Sequence, residues 1–425
     1  MRWGAFSGLA SNGVVALLSL FSASLTIHYL GKEAYGLWVI ATSFLVWAQL
    51  FDFGLLNGIT NALSEAFGRD DYSAARRYVS TAFVATLCLS LCGLILWCYF
   101  PLRIPWDALL RLQNPEQGKL LGKGIALVGS FFLITLPFAL ALKILQAYQR
   151  MYIVHSAQFI CYLLSLAAVI IGISLHAPFL ELLLWVNTLP YLCPIACFLL
   201  LARKCPWARV SWKCVDRHAL KRLCFSSVLL FLYQLLSIAG VQMIPLALTY
   251  ATNLKNVADF HILWRLFQFI LVLTINISAS SHPAIRDAFE RGETSWIRHT
   301  LLRVLFFQGI IVFLSCLPLL LAGNFMIEAW IRMPLENPLR IVEWGIFALS
   351  LLFFVFSTTV STCLNFLDKI AWQILLSLVS GVCLFYGISF GAPWYGLMAI
   401  FVTLLATSSG SFFLSLRLLK RLGKA

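Results

Sequence analysis

The sequence predicts an all-α polytopic membrane protein, with about twelve transmembrane helices in two parallel six-helix lobes around a central cavity. Three observations lead to this prediction. The composition is too poor in charge for a surface that faces water, the chain contains a series of apolar runs long enough to cross a bilayer, and a short internal repeat divides it into halves.

The composition excludes the soluble classes. Of the 425 residues, 61% are apolar and only 11% are charged, and the mean hydropathy is +0.89. Soluble domains carry about 25% charged residues. With about 20 residues needed for each crossing, a chain of this length can span the membrane roughly a dozen times, and little remains for a soluble domain.

Apolar runs mark twelve predicted spans, at approximately 5–30, 35–67, 78–100, 121–147, 154–175, 179–202, 223–250, 256–283, 299–323, 340–367, 370–390 and 394–417. Near the N-terminus, Val14 to Phe21 followed by Ser22-Ala23-Ser24 is similar to a cleavable signal peptide. The apolar stretch nevertheless continues from Ala5 to Leu30, which favours a first membrane helix.

The net charge of +14 is explained by topology. If alternate loops are assigned to the cytoplasm, most of the 31 lysines and arginines fall on that side, with both termini inside. Nucleic acid is therefore not expected as a partner. The twelve cysteines form neither a CxxC pair nor a cluster with histidine, so we expect buried thiols and no metal site.

The longest basic loop and an internal repeat divide the chain in two. The predicted domains are an N-terminal six-helix lobe at 1–202, a basic cytoplasmic linker at 203–222 and a C-terminal six-helix lobe at 223–425. The segment AFGRDDYSAARRYVS from Ala66 matches AFERGETSWIRHTLL from Ala288, 222 residues later. Because each copy follows the second helix of its half, the halves are predicted to be parallel repeats.

Polar side chains lie on one side of the second helix in each half. In the second span these are Gln49, Asp52, Asn57 and Asn61, together with Thr60 and Ser64. In the eighth span His261, Arg265, Gln268 and Asn276 fall within an arc of about 80°. Lipid is a poor neighbour for such faces, so they predict a cavity that receives a polar cargo.

Two simpler interpretations of these residues stay open. Serines and asparagines in spans often join helices by hydrogen bonds, and the seam of Ser226, Tyr233, Ser237 and Gly240 in the seventh span fits that role. Arg265 has no acid three or four residues away and needs water, an anion or a distant carboxylate such as Asp52. A pair between Asp52 and Arg265 would be a structural lock or a gate.

The N-terminal part of the sequence resembles the polysaccharide transporter family. The resemblance is carried by YLGKEAYGLWVIATSF from Tyr29, by FDFGLLNGITNALSEAFGRDDYSAARRYVSTAF from Phe51, and by ILQAYQRMYIVHSAQ from Ile144. These proteins are the O-antigen and lipid-linked oligosaccharide flippases of the multidrug/oligosaccharidyl-lipid/polysaccharide exporter superfamily.

The resemblance implies an alternating-access flippase in a bacterial inner membrane. Its cargo would be a polyprenyl-diphosphate-linked oligosaccharide, with Arg265 on a phosphate, and with Gln49, Asn57, Asn61, Gln268 and Asn276 on sugar hydroxyls. Asp52 or His261 would carry a coupling ion, H⁺ or Na⁺, and no other cofactor is expected. The implied partners are the lipid-linked glycan, membrane lipids and the glycan polymerase machinery, with the chain itself a monomer.

Other functions are weighed against this one. A multidrug or small-solute antiporter of the same superfamily is the alternative, since the carboxylate of Asp52 suits a cationic drug. A membrane glycosyltransferase would need large outer loops with paired carboxylates, and a scaffold would need no polar faces. No phosphate-binding loop, metal-ligand spacing or nucleophile motif is present, so we do not expect an enzyme.

Overall fold

The structure is a computed structural model that describes residues 2–225, 228–279, 285, 288, 291–366 and 370–422. The side chains of residues 2–12 and of a few other helical positions lie outside this description. Within the described residues every regular element is a helix and no strand occurs, which confirms the predicted all-α fold.

Ten α-helices form the first half of the chain. They are α1 (Arg2–Ala48), α2 (Leu55–Gly68), α3 (Tyr72–Arg103), α4 (Trp106–Leu110), α5 (Pro115–Thr135), α6 (Leu140–Ala147), α7 (Met151–Ser174), α8 (Phe179–Thr188), α9 (Leu192–Lys204) and α10 (Arg217–Phe225). The described part of the second half contains α11 (Val228–Gln242), α12 (Ile244–Ala251), α13 (Leu254–Ala279), α14 (Thr294–Ile331), α15 (Ile341–Phe366), α16 (Ile370–Tyr395) and α17 (Met398–Leu422).

Eleven helical stretches of the described chain are long and apolar enough to cross a membrane, so the protein is a multi-pass membrane protein. The first stretch, Gly13–Asp52, has 40 residues and combines the predicted first span with the start of the second. Gly31 interrupts it with a φ of 76° and a ψ of 165°. Forty helical residues extend about 60 Å, which is enough for two crossings.

The second predicted span is not the continuous helix expected over 35–67. A 3-10 turn at Gln49–Asp52 follows α1, and the left-handed backbone of Phe53 (φ 47°) and Gly54 (φ 78°) then separates it from α2. The prediction that Gln49 and Asp52 lie on the same side as Asn57 and Asn61 assumed a continuous helix. Because the helix is broken between the two pairs, a single helical periodicity no longer relates them.

Prolines interrupt three further spans. Pro137, Pro190 and Pro245 each lie at the first or second residue of a helical segment that restarts inside a predicted span. Proline lacks the N–H that an inner helical turn would use, but the start of a helix leaves that donor unpaired anyway. Each of these spans is therefore divided into shorter helical segments.

The chain forms two compact units. One consists of Met1–Ser11 and Leu37–Leu235, and the other of Asn12–Gly36 and Leu236–Ala425. The predicted lobes were continuous in sequence, whereas in the structure Asn12–Gly36 pack with the second unit. The basic segment 203–222, predicted as a linker, packs in the first unit: the backbone N–H of Ser211 donates to Ser80 and that of Asp216 to Thr81.

Polar contacts as well as apolar ones hold the second unit together. Gln308 on α14 is fully buried; it donates from Nε2 to the carbonyl of Thr274 (3.1 Å) and accepts from the hydroxyl of Thr359 (3.0 Å). Ser237 bonds Ser377 at 3.1 Å, and a Cβ on Gly240 would lie 3.2 Å from Cα of Gly381. The predicted seam of Ser237 and Gly240 thus joins α11 to α16, as helix-joining residues do.

The internal repeat is present as two matching turns. The N–H of Asp71 donates to the carbonyl of Ala66, and the N–H of Glu293 donates to that of Ala288, both at 2.9 Å. The residues that precede Asp71 and Glu293 have a positive φ, which is 53° at Asp70 and 75° at Gly292. Asp71 and Glu293 then precede the first residues of α3 and α14. Hydrogen bonds from the Ala74 N–H and the Ser73 side chain lower the pKa of Asp71.

Candidate functional site

A buried ion pair lies in the second unit, where α1 meets the start of α13. Lys32 Nζ lies 2.8 Å from Oδ1 of Asp259, and the two side chains are 9% and 0% exposed. Taking two charges out of water costs several kcal/mol, so a pair this deeply buried needs a specific reason to persist.

A second carboxylate completes this cluster. The backbone N–H of Glu336, in the segment after α14, donates to Oδ2 of Asp259 at 2.8 Å. Its own carboxylate lies 3.7 Å from Lys32 Nζ and is 40% exposed. Beside it, Lys255 and Glu33 form a looser pair at 3.9 Å. The cluster of Lys32, Asp259 and Glu336 therefore joins three segments of the second unit and reaches solvent through Glu336.

Close backbone contact allows the ion pair to form. A Cβ added to Gly36 would lie 2.4 Å from the carbonyl oxygen of Leu254, the first residue of α13. No heavy atom fits at that distance, so only glycine permits the approach. Together with the bend at Gly31, this contact brings Lys32 and Tyr35 against α13.

Tyr35 and His261 form a second polar contact, within the same unit. The Tyr35 hydroxyl lies 2.9 Å from Nδ1 of His261, and the two rings meet edge to face with centroids 5.6 Å apart. Tyr35 is only 2% exposed. The predicted role of His261 therefore has to use its other ring nitrogen, because Nδ1 already has a partner.

Arg265 lies one helical turn beyond His261 on α13 and is half-buried. Its Nε is buried and has no hydrogen-bond partner among the residues that the structure describes. Gln268, nearly one turn further, is also half-buried. Three predicted site residues, His261, Arg265 and Gln268, thus lie on one helix. The Nε–H of Arg265 can still donate a hydrogen bond to an acceptor.

Asp52 lies in the first unit, at the break between α1 and α2. Its carboxylate accepts hydrogen bonds from the N–H groups of Gly54 (3.0 Å) and Leu56 (3.4 Å), so it caps the start of α2. Its charge also interacts with that of Lys143. Burial to 9% exposure is tolerated because the helix N-terminus and the cation both favour a negative charge.

The other predicted site residues are less informative. Asn61 on α2 is exposed. The side chains of Gln49, Asn57 and Asn276 lie outside the described part of the structure, so their predicted roles stay predictions. The predicted cavity between the lobes also stays a prediction.

The sequence analysis missed the buried cluster. Lys32, Asp259 and Glu336 were given no role there. One signal was available: Asp259 lies two residues before His261, inside a span where a carboxylate is costly without a partner. The identity of that partner depends on the fold, because Lys32 and Glu336 come from distant parts of the chain.

Comparisons with known proteins agree with this architecture. The MatE family model matches residues 9–179. A multidrug resistance MATE family transporter of the MOP superfamily in its inward-facing conformation is 13% identical, with 99% of each chain covered and a TM-score of 0.84. The outward-facing conformation of a MATE family transporter gives 14% identity, coverage of 97% and 96%, and a TM-score of 0.63.

Another similar structure is described by the polarity of its binding pocket. It is a MOP superfamily transporter from Pyrococcus furiosus, and the reverse polarity of its binding pocket is described as suggesting a different function. It is 12% identical, with 98% of this chain and 96% of that chain covered, and the TM-score is 0.69. No curated protein matches the sequence. At these identities the likeness establishes the fold, which is that of MATE transporters, and the polysaccharide-transporter assignment stays a prediction.

Proposed function

We propose that this chain is a membrane transporter that exports a small organic solute, as the multidrug transporters of the same fold do. The observation that carries this proposal is the fold itself, since nearly the whole chain superposes on a multidrug transporter with a TM-score of 0.84. The match of residues 9–179 to the MatE family model supports it from the sequence. This was the alternative in the sequence analysis, and the comparisons favour it.

Transport of an anionic lipid-linked oligosaccharide is the second candidate, and the charges in the spans favour it. A cationic drug needs a free carboxylate. Asp52 is bonded to two backbone N–H groups and Asp259 is paired with Lys32, whereas Arg265 Nε has no partner among the described residues. A guanidinium with an unused donor suits a phosphate. The resemblance of the segments from Tyr29 and Phe51 supports the same cargo.

The physical properties of that cargo also suit a transporter of this class. Sugars and phosphates cannot enter hydrocarbon without a large cost, while a prenyl tail is stable there. A polar passage inside the protein would carry the head group, and the tail would stay in lipid. Arg265 and Gln268 on α13 would contact the head group.

One deletion experiment separates the two cargoes. A strain lacking the gene is compared with the wild type for drug susceptibility and for surface glycan with its lipid-linked precursor. Increased susceptibility with normal glycan supports the solute exporter; lost glycan with accumulated precursor supports the flippase. If neither changes while the protein is normally expressed in the wild type, both candidates are wrong.

Arg265 is tested in the same strain. Arg265→Ala should lower export of the anionic cargo, and Arg265→Lys should restore part of it, because lysine keeps the charge but not the planar fork. Arg303→Ala is the matched control, since Arg303 is an exposed arginine of the α14 span. Normal export by Arg265→Ala at normal protein levels would contradict the role assigned to Arg265.

A further inference from the structure

An apolar groove lies on the surface of the second unit, where α15 begins, α16 ends and α17 begins. Its volume is about 520 Å³, which is within the range of sites that hold small organic molecules. Val342 of α15 and Val402 of α17 line the groove and are 69% and 48% exposed, so it is open on one side. In a membrane, the surroundings of this open side are lipid.

Small residues leave the space of the groove empty. Gly387 and Gly391 line it on α16, where a Cβ on Gly391 would lie only 3.0 Å from the Cβ of Ala399 on α17. α17 also packs against α15, since the rings of Phe347 and Phe401 meet with centroids 5.0 Å apart. Both neighbours are thus held on α17, and no large side chain of α16 fills the space beside this contact.

The groove runs from the helix ends into the span. Two of the three candidate spans begin at this level and the third ends there. Gly387 and Tyr395 of α16 both line the groove, and eight residues of helix extend about 12 Å. Trp394 and Tyr395 are 84% and 73% exposed. Because exposed aromatic residues mark the boundary between head groups and hydrocarbon, the groove has one end among the head groups and the other in hydrocarbon.

An acid and a base lie at the head-group end. The backbone N–H of Arg340 donates to Oε2 of Glu343 at 2.7 Å, so Glu343 caps the start of α15. Its other oxygen, Oε1, lies 3.4 Å from the guanidinium of Arg340. The side chains are 86% exposed at Arg340 and 20% exposed at Glu343. Since a guanidinium has five donors and a carboxylate oxygen accepts more than one hydrogen bond, this single long contact leaves both groups able to bind a ligand.

We propose that the groove binds a phospholipid whose head group carries a primary amine, phosphatidylethanolamine. Its phosphate binds Arg340, its ammonium binds Oε1 of Glu343, and an acyl chain lies along the apolar part of the groove. The head group is zwitterionic, as the pair of Arg340 and Glu343 is, so the charges are complementary. The site lies on other helices than Arg265 and is independent of the transported cargo.

The amine distinguishes this lipid from the other common phospholipids. Phosphatidylcholine has the same charges, but its quaternary ammonium has no N–H to donate to the carboxylate of Glu343. Phosphatidylglycerol shares the phosphate and brings no positive charge, so the carboxylate would lie beside an anion without a partner from the lipid. Only the ethanolamine head group satisfies both members of the pair.

The test is native mass spectrometry of the full-length protein after delipidation in detergent. Phosphatidylethanolamine, phosphatidylcholine and phosphatidylglycerol with identical acyl chains are added at equal concentrations. The wild type should bind the ethanolamine lipid about fivefold more tightly than the other two, which is the factor for one charged contact at a partly exposed site. Equal binding of the three lipids, or a preference for phosphatidylglycerol, would overturn the proposal.

A charge variant tests the contact with the amine. Glu343→Gln keeps an oxygen that can accept from the Arg340 N–H and removes the negative charge, so the preference for phosphatidylethanolamine over phosphatidylcholine should disappear. Glu116→Gln is the matched control, because Glu116 forms the same type of pair with Lys119 in the first turn of α5. A preference that persists in Glu343→Gln, or that is lost equally in both variants, would contradict the assigned site.

A variant that fills the groove keeps the test valid if Glu343→Gln does not fold. Val402→Trp places a large ring where the acyl chain would lie, and it should lower phosphatidylethanolamine binding severalfold. Val382→Trp is the matched control, because Val382 on α16 is also 48% exposed and lies outside the groove. Unchanged binding by Val402→Trp would show that the lipid binds elsewhere and would overturn the proposal.

Other occupants of the groove would be recognised in the same spectra. A dimer that Val402→Trp abolishes would mean that a second copy of the chain covers the groove. Tighter binding of a polyprenyl diphosphate than of phosphatidylethanolamine, abolished by the same variant, would assign the groove to a lipid-linked cargo. Either result would overturn the proposal.

Discussion

Gly36 has no room for even one methyl group. The position of its missing Cβ is 2.4 Å from the backbone oxygen of Leu254, and a backbone atom cannot move aside as the end of a flexible side chain can. Since Lys32 and Tyr35 lie on the same part of α1, this glycine controls how closely the buried cluster can assemble.

Gly36→Ala should therefore destabilise the protein and disturb the pair of Lys32 and Asp259. We expect a lower midpoint of thermal unfolding in detergent. Gly345→Ala is the control, because a Cβ at Gly345 would meet nothing within 4 Å. Equal unfolding midpoints for the two alanine variants would contradict the close contact between α1 and α13.

Asp52 is a helix cap placed inside a membrane span. It accepts from the N–H groups of Gly54 and Leu56, which the helical pattern of α2 leaves unpaired. Asp52→Ala should destabilise the protein by about 1 kcal/mol, the usual cost of losing such a cap. Asp52→Asn keeps an acceptor and should destabilise the protein less. The midpoint of thermal unfolding should therefore be highest for the wild type, intermediate for Asp52→Asn and lowest for Asp52→Ala. Equal losses for both variants would show that charge, not capping, is what Asp52 contributes.

At the scale of elements, the two repeat turns need the same backbone conformation, a positive φ at one residue. Asp70 and Gly292 occupy equivalent positions with a positive φ, where glycine fits without strain and aspartate fits better than most residues. The sequence predicted this repeat because its polar residues are spaced alike in both copies. The structure adds the reason for the spacing, which is one turn built from the same hydrogen bond.

Asp70→Gly should therefore leave stability unchanged or raise it slightly, and Asp70→Val should lower it. A β-branched residue with a positive φ is strained by about 1–3 kcal/mol. The measurement is the unfolding midpoint of the two variants and the wild type in one detergent. A valine variant as stable as the glycine variant would contradict the left-handed turn.

Other elements could not be predicted. The helix break before α2 has no proline, and Phe53 with a φ of 47° is an unusual residue for a left-handed turn, so the pattern favoured a continuous span. The eighth span was predicted to be polar on one side. In the structure Arg265 and Gln268 are half-buried, and the cavity predicted beside them stays a prediction. The partner of Asp259 could not be predicted, since no periodicity relates Lys32 to α13 and only tertiary packing brings them together.

At the scale of the whole molecule, the distribution of lysine and arginine predicts the orientation in the membrane. Basic loops stay in the cytoplasm, and the segment 203–222 is the most basic of them. In the structure this segment packs on the first unit through Arg222, which bonds Glu65 and Tyr78. The predicted position of this segment on the inner side would place both termini inside as well.

Reporter fusions test this orientation. Alkaline phosphatase is active only outside the cytoplasm. Green fluorescent protein fluoresces in the cytoplasm, and it does not fluoresce when it is exported in an unfolded form. Fusions after Ser211 and after the last residue should fluoresce and lack phosphatase activity. A fusion after Gln113, in the loop between α4 and α5, should show the reverse. Because every crossing inverts the side, the three sites together show whether the number of spans between them is odd or even, as well as the sign of the orientation. Phosphatase activity after Ser211 would refute the prediction.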